Sequence, residues 1–321
     1  MKFRTEITIA PWEQKLEYTD GIVCLGSCFA SNIAAKLKES KFNVVDNPVG
    51  ILFNPASIAR SMRLMTSQAT ILESDTFERN GRYVSFMFHS SLSGSTATEA
   101  VSVMQNAVNE GGKALREASL IIVTLGSAYI WRDRDGEVVA NCHQVGAKNF
   151  TTELLSLEQI VQGLEEITSL TSAKILFTVS PVRHLNDGLE GNFLSKALLR
   201  VAIDRIVEKH PERASYFPSY EIVMDDLRDY RFYDSDMLHP STQAVEYIAD
   251  KFFEAALSKK ATKQRERVLE IMQARNHRPL NPTSEAYKNF CRQQLDAIAE
   301  LKEIDFSEEK SYFEQMLQIN L

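Results

Sequence analysis

The sequence has few of the residues that mark fibrous, disordered, membrane-spanning and disulfide-linked proteins. Only 13 of its 321 residues are Gly and 9 are Pro, which excludes collagen-like and broadly disordered chains. No apolar run reaches the roughly 18 to 20 residues needed to cross a bilayer. The amino-terminal segment is polar and acidic where a secretory signal has an apolar core, so we expect no export signal and no membrane partner.

Cysteine is scarce as well, and its spacing excludes the common cysteine-based metal sites. None of the four cysteines forms a CxxC pair or a Cys/His ligand pattern; they are Cys24, Cys28, Cys142 and Cys291. We therefore expect reduced thiols and a cytoplasmic protein. The net charge of −7 argues against nucleic acid as the main partner. We predict no metal and no cofactor.

Apolar runs typical of buried strands alternate with segments of helical spacing. The predicted strands are 21–25, 119–125, 174–179 and 220–224. Helices are predicted around 31–37 and 57–62, and over 98–118, 156–168, 192–209 and 241–257, with a small hairpin within 75–95. Strands that alternate with helices indicate a layered α/β fold around a mostly parallel sheet.

The charge pattern changes near residue 258. Residues 259–278 hold seven basic and two acidic side chains, whereas 296–321 hold seven acidic and two basic ones. A basic helical stretch can bind anionic lipid or RNA, but the acidic segment offers a partner within the chain, and we favour that pairing. We predict a domain over 1–258 and a helical extension over 259–321, with its two or three helices broken at Pro279 and Pro282.

Ser27 follows the first predicted strand, directly after Gly26. A nucleophile there would project from the carboxyl edge of the sheet, where open α/β sheets bind ligands. Backbone N–H groups at the start of the next helix can stabilise a developing oxyanion. The alternative is a Gly-Ser loop that only caps the helix.

Asp236 precedes His239 by three residues, just before the last predicted helix of the domain. At this spacing the carboxylate can accept the Nδ1–H of the imidazole, which leaves the other ring nitrogen free to take a proton from a serine. The alternative is a turn aspartate beside a structural histidine. A serine after the first strand combined with a late Asp-x-x-His is much rarer than either feature alone.

Two glycines and three further histidines are candidates for the same site. Gly126 ends another strand, and the backbone N–H groups of Gly126, Gly50 and Ser27 are predicted to form an oxyanion hole. Each glycine could equally make a tight turn. Any of the remaining histidines in loops or after strands could line a pocket, and these are His89, His143 and His184.

The segment Gly26-Ser27-Cys28-Phe29-Ala30 resembles the signature of the GSCFA family, a branch of the SGNH (GDSL-like) hydrolase superfamily. The resemblance extends over about residues 1–255. It implies a flavodoxin-like three-layer α/β/α sandwich and ester hydrolysis through an acyl-enzyme. Ser27 matches the nucleophilic serine, Asp236 and His239 match the Asp-x-x-His, and Gly126 and Gly50 match the glycines of the oxyanion hole.

The sequence departs from the superfamily pattern at two positions. The aspartate that usually stands between the glycine and the nucleophile is absent, and Ala128 stands where the superfamily has an asparagine that donates to the oxyanion. Loss of such a donor costs roughly 2.7–4 kcal/mol in other enzymes. The side chains that could replace it are Asn54, Asn141, His143 and His184.

The leading prediction is a serine esterase that removes an acyl group from a carbohydrate or another small acylated molecule. His239 would deprotonate Ser27, and Asp236 would orient His239. One alternative is an acyltransferase on the same fold. Another uses Cys28 as the nucleophile, although the side chain after Ser27 is expected to point into the helix–sheet packing. A third is a binding module without catalysis.

Overall fold

The computed structural model describes residues 4–319. Backbone contacts divide the chain into two compact units. The first comprises the amino-terminal segment up to Ile9, together with Gly21–Ala35 and Val44–Lys251. The second comprises Ala10–Asp20, Lys36–Asn43 and the carboxyl-terminal segment from Phe252. The second unit thus takes in two earlier pieces of the chain besides the carboxyl-terminal helices.

The described residues alternate between strands and helices along the chain. The strands are β1 (Gly21–Gly26), β2 (Asn43–Asp46), β3 (Phe77–Arg79), β4 (Arg82–Val84), β5 (Ala118–Leu125), β6 (Tyr129–Arg132), β7 (Val138–Val139), β8 (Thr151–Leu154), β9 (Lys174–Val179) and β10 (Ala214–Tyr216). The helices are α1 (Cys28–Glu39), α2 (Pro55–Thr66), α3 (Ala97–Glu117), α4 (Leu157–Ser169), α5 (Gly188–Lys209), α6 (Ser219–Glu221), α7 (Thr242–Ala256), α8 (Lys259–Asn276), α9 (Glu285–Glu300) and α10 (Ser307–Gln318).

The central sheet has five strands in the order β10-β9-β5-β1-β2. The pairs β1–β5, β5–β9 and β9–β10 are parallel. Counted along the chain, the strand order is 2-1-3-4-5, which is one of the two common orders of doubly wound sheets. The prediction of an α/β fold with a mostly parallel sheet is confirmed.

Side chains on both faces of this sheet are buried. Val23 and Leu25 of β1 lie in the same apolar core as Ile121 and Val123 of β5. The residues that alternate with these along the strands point to the opposite face of the sheet. They are buried too, and Cys24 of β1 is an example. A parallel sheet that is buried on both faces needs helices on each side. The architecture is therefore compatible with a three-layer sandwich.

Local sequence signals explain where the helices begin. The Asn54 carboxamide oxygen accepts the Ser57 backbone N–H at 2.7 Å, and Pro55 occupies the first helical position of α2. Ser156 and Gln159 form a capping box at the start of α4. Such caps satisfy backbone donors that have no partner inside the helix. The predicted helices over 98–118, 156–168, 192–209 and 241–257 correspond to α3, α4, α5 and α7.

The predicted strand over 220–224 is wrong. This segment consists of the end of α6 and a π-helical turn over Ile222–Asp226. The strand of this region is β10, which ends before Pro218, and the hydroxyl of Ser219 then bonds to Val179 O at 2.8 Å. A short buried apolar run cannot be assigned to strand or helix by its pattern alone. The short strand β2 was not predicted, whereas the hairpin β3–β4 was.

The second unit contains the three helices α8, α9 and α10, as expected for the extension. Lys260 of the basic segment lies 2.8 Å from Glu303 of the acidic one, so the two segments pair at this point. Lys41 bonds at 2.6 Å to the buried carboxylate of Glu309. Among the described residues, none of the helices combines the length and the apolar character that crossing a membrane requires.

Candidate active site

Ser27 lies at the switch point of the sheet. It follows β1, and the neighbouring strand β5 ends just before Gly126. In the strand order found here, the connections from β1 and β5 leave toward opposite faces, and this opens a crevice at their carboxyl ends. The Ser27 backbone N–H donates to Thr124 O at 3.1 Å, so the serine is held against the end of β5.

The turn into Ser27 requires a glycine. Gly26 has φ of 130°, in the region that favours glycine, and its N–H donates to the Asn47 carboxamide oxygen at 2.8 Å. A Cβ at this position would lie 2.1 Å from Thr124 O. Glycine is therefore dictated both by backbone conformation and by the close approach of β5.

Ser27 also begins α1. Its hydroxyl oxygen accepts the Phe29 backbone N–H at 3.3 Å, as a helix cap does. The side chain is 2% exposed. Among residues 4–319, no hydrogen bond joins the Ser27 hydroxyl to His239. Both readings of this serine, cap and nucleophile, thus fit its position.

Asp236 and His239 form the pair that their spacing predicts. The imidazole Nδ1 lies 2.6 Å from one carboxylate oxygen, and the other oxygen accepts the backbone N–H groups of Leu238 and His239. Met237 has φ of 61°, which folds the loop so that these donors converge. The two backbone bonds, followed by the bond to the imidazole, lower the pKa of Asp236 to about 2. The carboxylate therefore stays charged throughout the physiological pH range.

One hydrogen bond and two electrostatic interactions relate this pair to the residues around Ser27. The Arg183 N–H donates to Leu238 O at 3.3 Å, so the loop of His239 runs beside the loop of His184. The His239 charge acts on His184, and the Asp236 charge acts on Cys28, the residue after the serine. The two halves of the predicted site therefore lie at the same edge of the sheet.

The three predicted oxyanion donors are occupied by backbone carbonyls. The Ser27 N–H bonds to Thr124 O, the Gly126 N–H bonds to Phe53 O at 2.7 Å, and the Gly50 N–H bonds to Asn47 O at 2.7 Å. An oxyanion can use one of these groups only if an existing bond is given up. The structure thus differs from the expectation that these N–H groups are available.

Gly50 is further constrained by His89. A Cβ on Gly50 would lie 2.2 Å from the His89 Cβ. The His89 Nδ1 is 3.0 Å from the Ser91 hydroxyl, and burial lowers the pKa of the ring. Gly50 therefore has a packing reason to be glycine that is independent of any substrate.

His143 and Asn141 serve their own loop. The two ring nitrogens of His143 lie 2.7 Å from Ser85 O and 3.2 Å from the Ser90 hydroxyl. The Asn141 carboxamide oxygen accepts the His143 N–H at 2.9 Å. Nε2 donates to the carbonyl, and burial lowers the pKa of the ring although this bond acts in the opposite direction.

His184 stands apart from these groups because its Nε2 is buried and has no hydrogen-bond partner among the described residues. A point in the Cβ direction of Gly126 lies 3.5 Å from this nitrogen and 3.4 Å from the Ser27 Cβ. The ring meets Phe53 edge-on, with centroids 6.2 Å apart. Of the predicted pocket residues, His184 is therefore the one placed beside both Ser27 and Gly126.

Lys196 is a site residue that the sequence analysis missed. It lies on α5, is 2% exposed, and donates to Ser180 O at 2.7 Å. Burial lowers its pKa to about 7, and its charge acts on Cys28 and His184. Its segment carried no sequence signal, because only the packing of α5 shows that three polar residues on its buried face are enclosed: Asn192, Ser195 and Lys196.

Cys28, which the sequence predicts to point into the helix–sheet packing, is the residue directly after Ser27. It is partly exposed, and the charges of Lys196 and Asp236 act on its thiol. Burial is the largest influence and raises its pKa, so most of the thiol stays protonated at neutral pH. Within residues 4–319, no group of three or more His, Cys, Asp and Glu side chains could hold a metal ion.

Fold and site together define a doubly wound α/β protein with a serine at the switch point and an Asp–His pair at the same edge. The chain belongs to the GSCFA family, whose model matches residues 21–252. A second model, described as the GSCFA domain protein, C-terminal domain, matches residues 268–319. No curated protein matches the sequence.

Proposed function

We propose that this protein is a serine esterase of the SGNH type that acts on a small acylated molecule, such as an acylated carbohydrate. The observation that carries the proposal is the 2.6 Å contact between Asp236 and the His239 Nδ1, in a loop whose charges reach the residue after Ser27. The contact leaves the His239 Nε2 facing away from the aspartate, as a general base requires.

In the proposed reaction, His239 removes the hydroxyl proton of Ser27 as the serine oxygen attacks the ester carbonyl. The tetrahedral intermediate then expels the alcohol, which takes that proton from His239, and an acyl-enzyme remains. Water, activated by the same imidazole, hydrolyses the acyl-enzyme and releases the acid. Asp236 stabilises the imidazolium in both steps. The Ser27–His239 hydrogen bond would form on substrate binding, as catalytic hydrogen bonds often do.

A binding module without turnover is the second candidate, and specific observations favour it. The Ser27 hydroxyl caps α1, and the backbone donors at Ser27, Gly126 and Gly50 are all occupied. In this case the crevice would hold a ligand while the serine serves only the fold. The two functions differ in whether Ser27 reacts with an electrophile.

Intact-mass labelling with a fluorophosphonate separates the two functions. We expect one adduct on the wild type, on Cys28→Ala and on Ser127→Ala, and none on Ser27→Ala. Ser127 is the matched control because it also follows a glycine at a strand end, with its hydroxyl bonded to the Tyr129 N–H at 3.0 Å. A wild type that stays unlabelled while it is folded would refute the esterase and leave the binding module. An adduct on Ser27→Ala that is lost in Cys28→Ala would identify the thiol as the nucleophile.

A further inference from the structure

An esterase site needs a hydrogen-bond donor aimed at the oxygen that becomes charged, and the expected donors here are engaged elsewhere. The backbone N–H groups of Ser27, Gly126 and Gly50 bond to carbonyl oxygens, and Ala128 has no polar side chain. Since one such donor contributes roughly 2.7–4 kcal/mol to transition-state stabilisation, its source matters for the reaction.

Three of the four side chains that could replace it have structural tasks. The Asn54 carboxamide caps α2 through Ser57, and the Asn141 carboxamide holds the His143 N–H. Both ring nitrogens of His143 are hydrogen-bonded. The bonds of Asn54 and Asn141 use only their carboxamide oxygens, so His184 is set apart by its position: its Nε2 lies beside Ser27 and Gly126 and is buried without a hydrogen-bond partner among the described residues.

We infer that His184 donates its Nε2–H to the oxyanion formed when Ser27 attacks. This inference rests on the esterase proposed above. Nε2 and the Ser27 Cβ lie 3.5 and 3.4 Å from the position that a Cβ on Gly126 would take, and the Phe53 Cβ lies 2.9 Å from the same position. A carbonyl attacked by Ser27 beside Phe53 would have its oxygen close to the imidazole. An unpartnered buried nitrogen facing the nucleophile is what a preorganised donor looks like before substrate binds.

The backbone and the neighbouring ring hold His184 in this orientation. The His184 backbone N–H donates to the carboxamide oxygen of the buried Asn192 at 3.0 Å, and the Phe53 ring packs edge-on against the imidazole. Asn192 belongs to the same turn of α5 as Lys196, so one helix positions both groups. The donor therefore does not have to be recruited by a loop movement.

The charge state of His184 suits this task. Burial is the largest influence on its pKa, and the nearby charges of Lys196 and His239 act in the same direction, so the pKa falls to about 4. The Gly126 backbone acts in the opposite direction and does not cancel these effects. Above about pH 5 the ring is thus a neutral single donor, a role that neutral histidine has in other enzymes.

The test compares His184→Gln, which keeps a donor, with His184→Met, which has similar bulk and none. For each variant, the rate constant of covalent labelling at saturating fluorophosphonate and the half-saturating concentration are measured by intact mass. We expect Met to lower the labelling rate constant by about 10²- to 10³-fold and Gln to stay within tenfold of the wild type. The half-saturating concentration should hardly change, because the donor stabilises the negative charge that develops in the transition state and not the bound reagent.

The controls separate this inference from the esterase proposal. His210→Gln removes a histidine bonded to Glu165 at 2.9 Å outside the site, and should label at the wild-type rate. Equal labelling rate constants for the Met and Gln variants, with both folded by circular dichroism, would overturn the role of His184. An unlabelled wild type would instead overturn the esterase itself.

Discussion

The buried lysine in the site gives the sharpest prediction, because it weakens the fold at neutral pH. Lys196 is fully enclosed, and burial lowers its pKa from 10.5 to about 7. Between these two values the unfolded chain binds more protons than the folded one, so the free energy of unfolding rises with pH. Below pH 7 both states hold the proton, and the destabilisation is fully present.

The size of the effect follows from the shift. At 1.36 kcal/mol per pKa unit, burial of this amine costs about 4 kcal/mol at pH 7. Replacing it by methionine removes that cost but also removes the 2.7 Å bond to Ser180 O, which is worth about 1 kcal/mol. We therefore expect Lys196→Met to be more stable than the wild type by about 3 kcal/mol at pH 7, with the gain vanishing near pH 10, where the remaining cost of burial equals the lost hydrogen bond.

Urea unfolding followed by circular dichroism at pH 7, 8, 9 and 10 measures this gain. Lys148→Met changes an exposed lysine and should leave the free energy of unfolding within about 0.5 kcal/mol of the wild type at every pH. The reasoning is refuted if Lys196→Met is no more stable at pH 7, or if its gain is the same at pH 7 and pH 10. A more stable variant that labels slowly would mean that the lysine serves the site at the expense of the fold.

Three further predictions concern the Asp–His turn, the serine loop and the cap of α2. Asp236→Asn should lower the labelling rate about 10⁴-fold, because an amide cannot hold the productive imidazole tautomer; a near-normal rate would exclude the pair from catalysis. Gly26→Ala should destabilise the fold by about 3 kcal/mol in urea unfolding, since its Cβ would overlap Thr124 O. Gly81→Ala also has positive φ, but its Cβ would have no neighbour within 4 Å, so it should cost only about 1 kcal/mol; equal losses would contradict the overlap. Asn54→Ala removes the cap of α2 and should cost about 1 kcal/mol by the same assay, so an unchanged stability would mean that the cap does not support the helix.

The chain's pattern of apolar runs and caps was enough to predict the layered fold. Three runs, 21–25, 119–125 and 174–179, became the central parallel strands, because strands buried on both faces are apolar throughout. The run over 220–224 became helical, since five residues are too few to show a clear period and Pro218 with Ser219 set the backbone there.

Local spacing also determined the parts of the site that lie close in the chain. Asp236 precedes His239 by three positions, and a turn of that length suffices to form their 2.6 Å contact. Gly26 before Ser27 likewise predicted a tight turn at the end of β1, because only glycine tolerates such a φ beside another strand.

Only the tertiary structure decided which side chains face the serine and which donors are free. Lys196 follows Ser27 by well over a hundred residues, and nothing in its own segment shows that α5 would bury it near Cys28. The availability of His184 and the occupation of the Gly126 and Gly50 N–H groups depend on partners brought by other loops. Hydrogen-bond satisfaction is a property of the packed chain, and the sequence names the donors and acceptors without saying which ones meet.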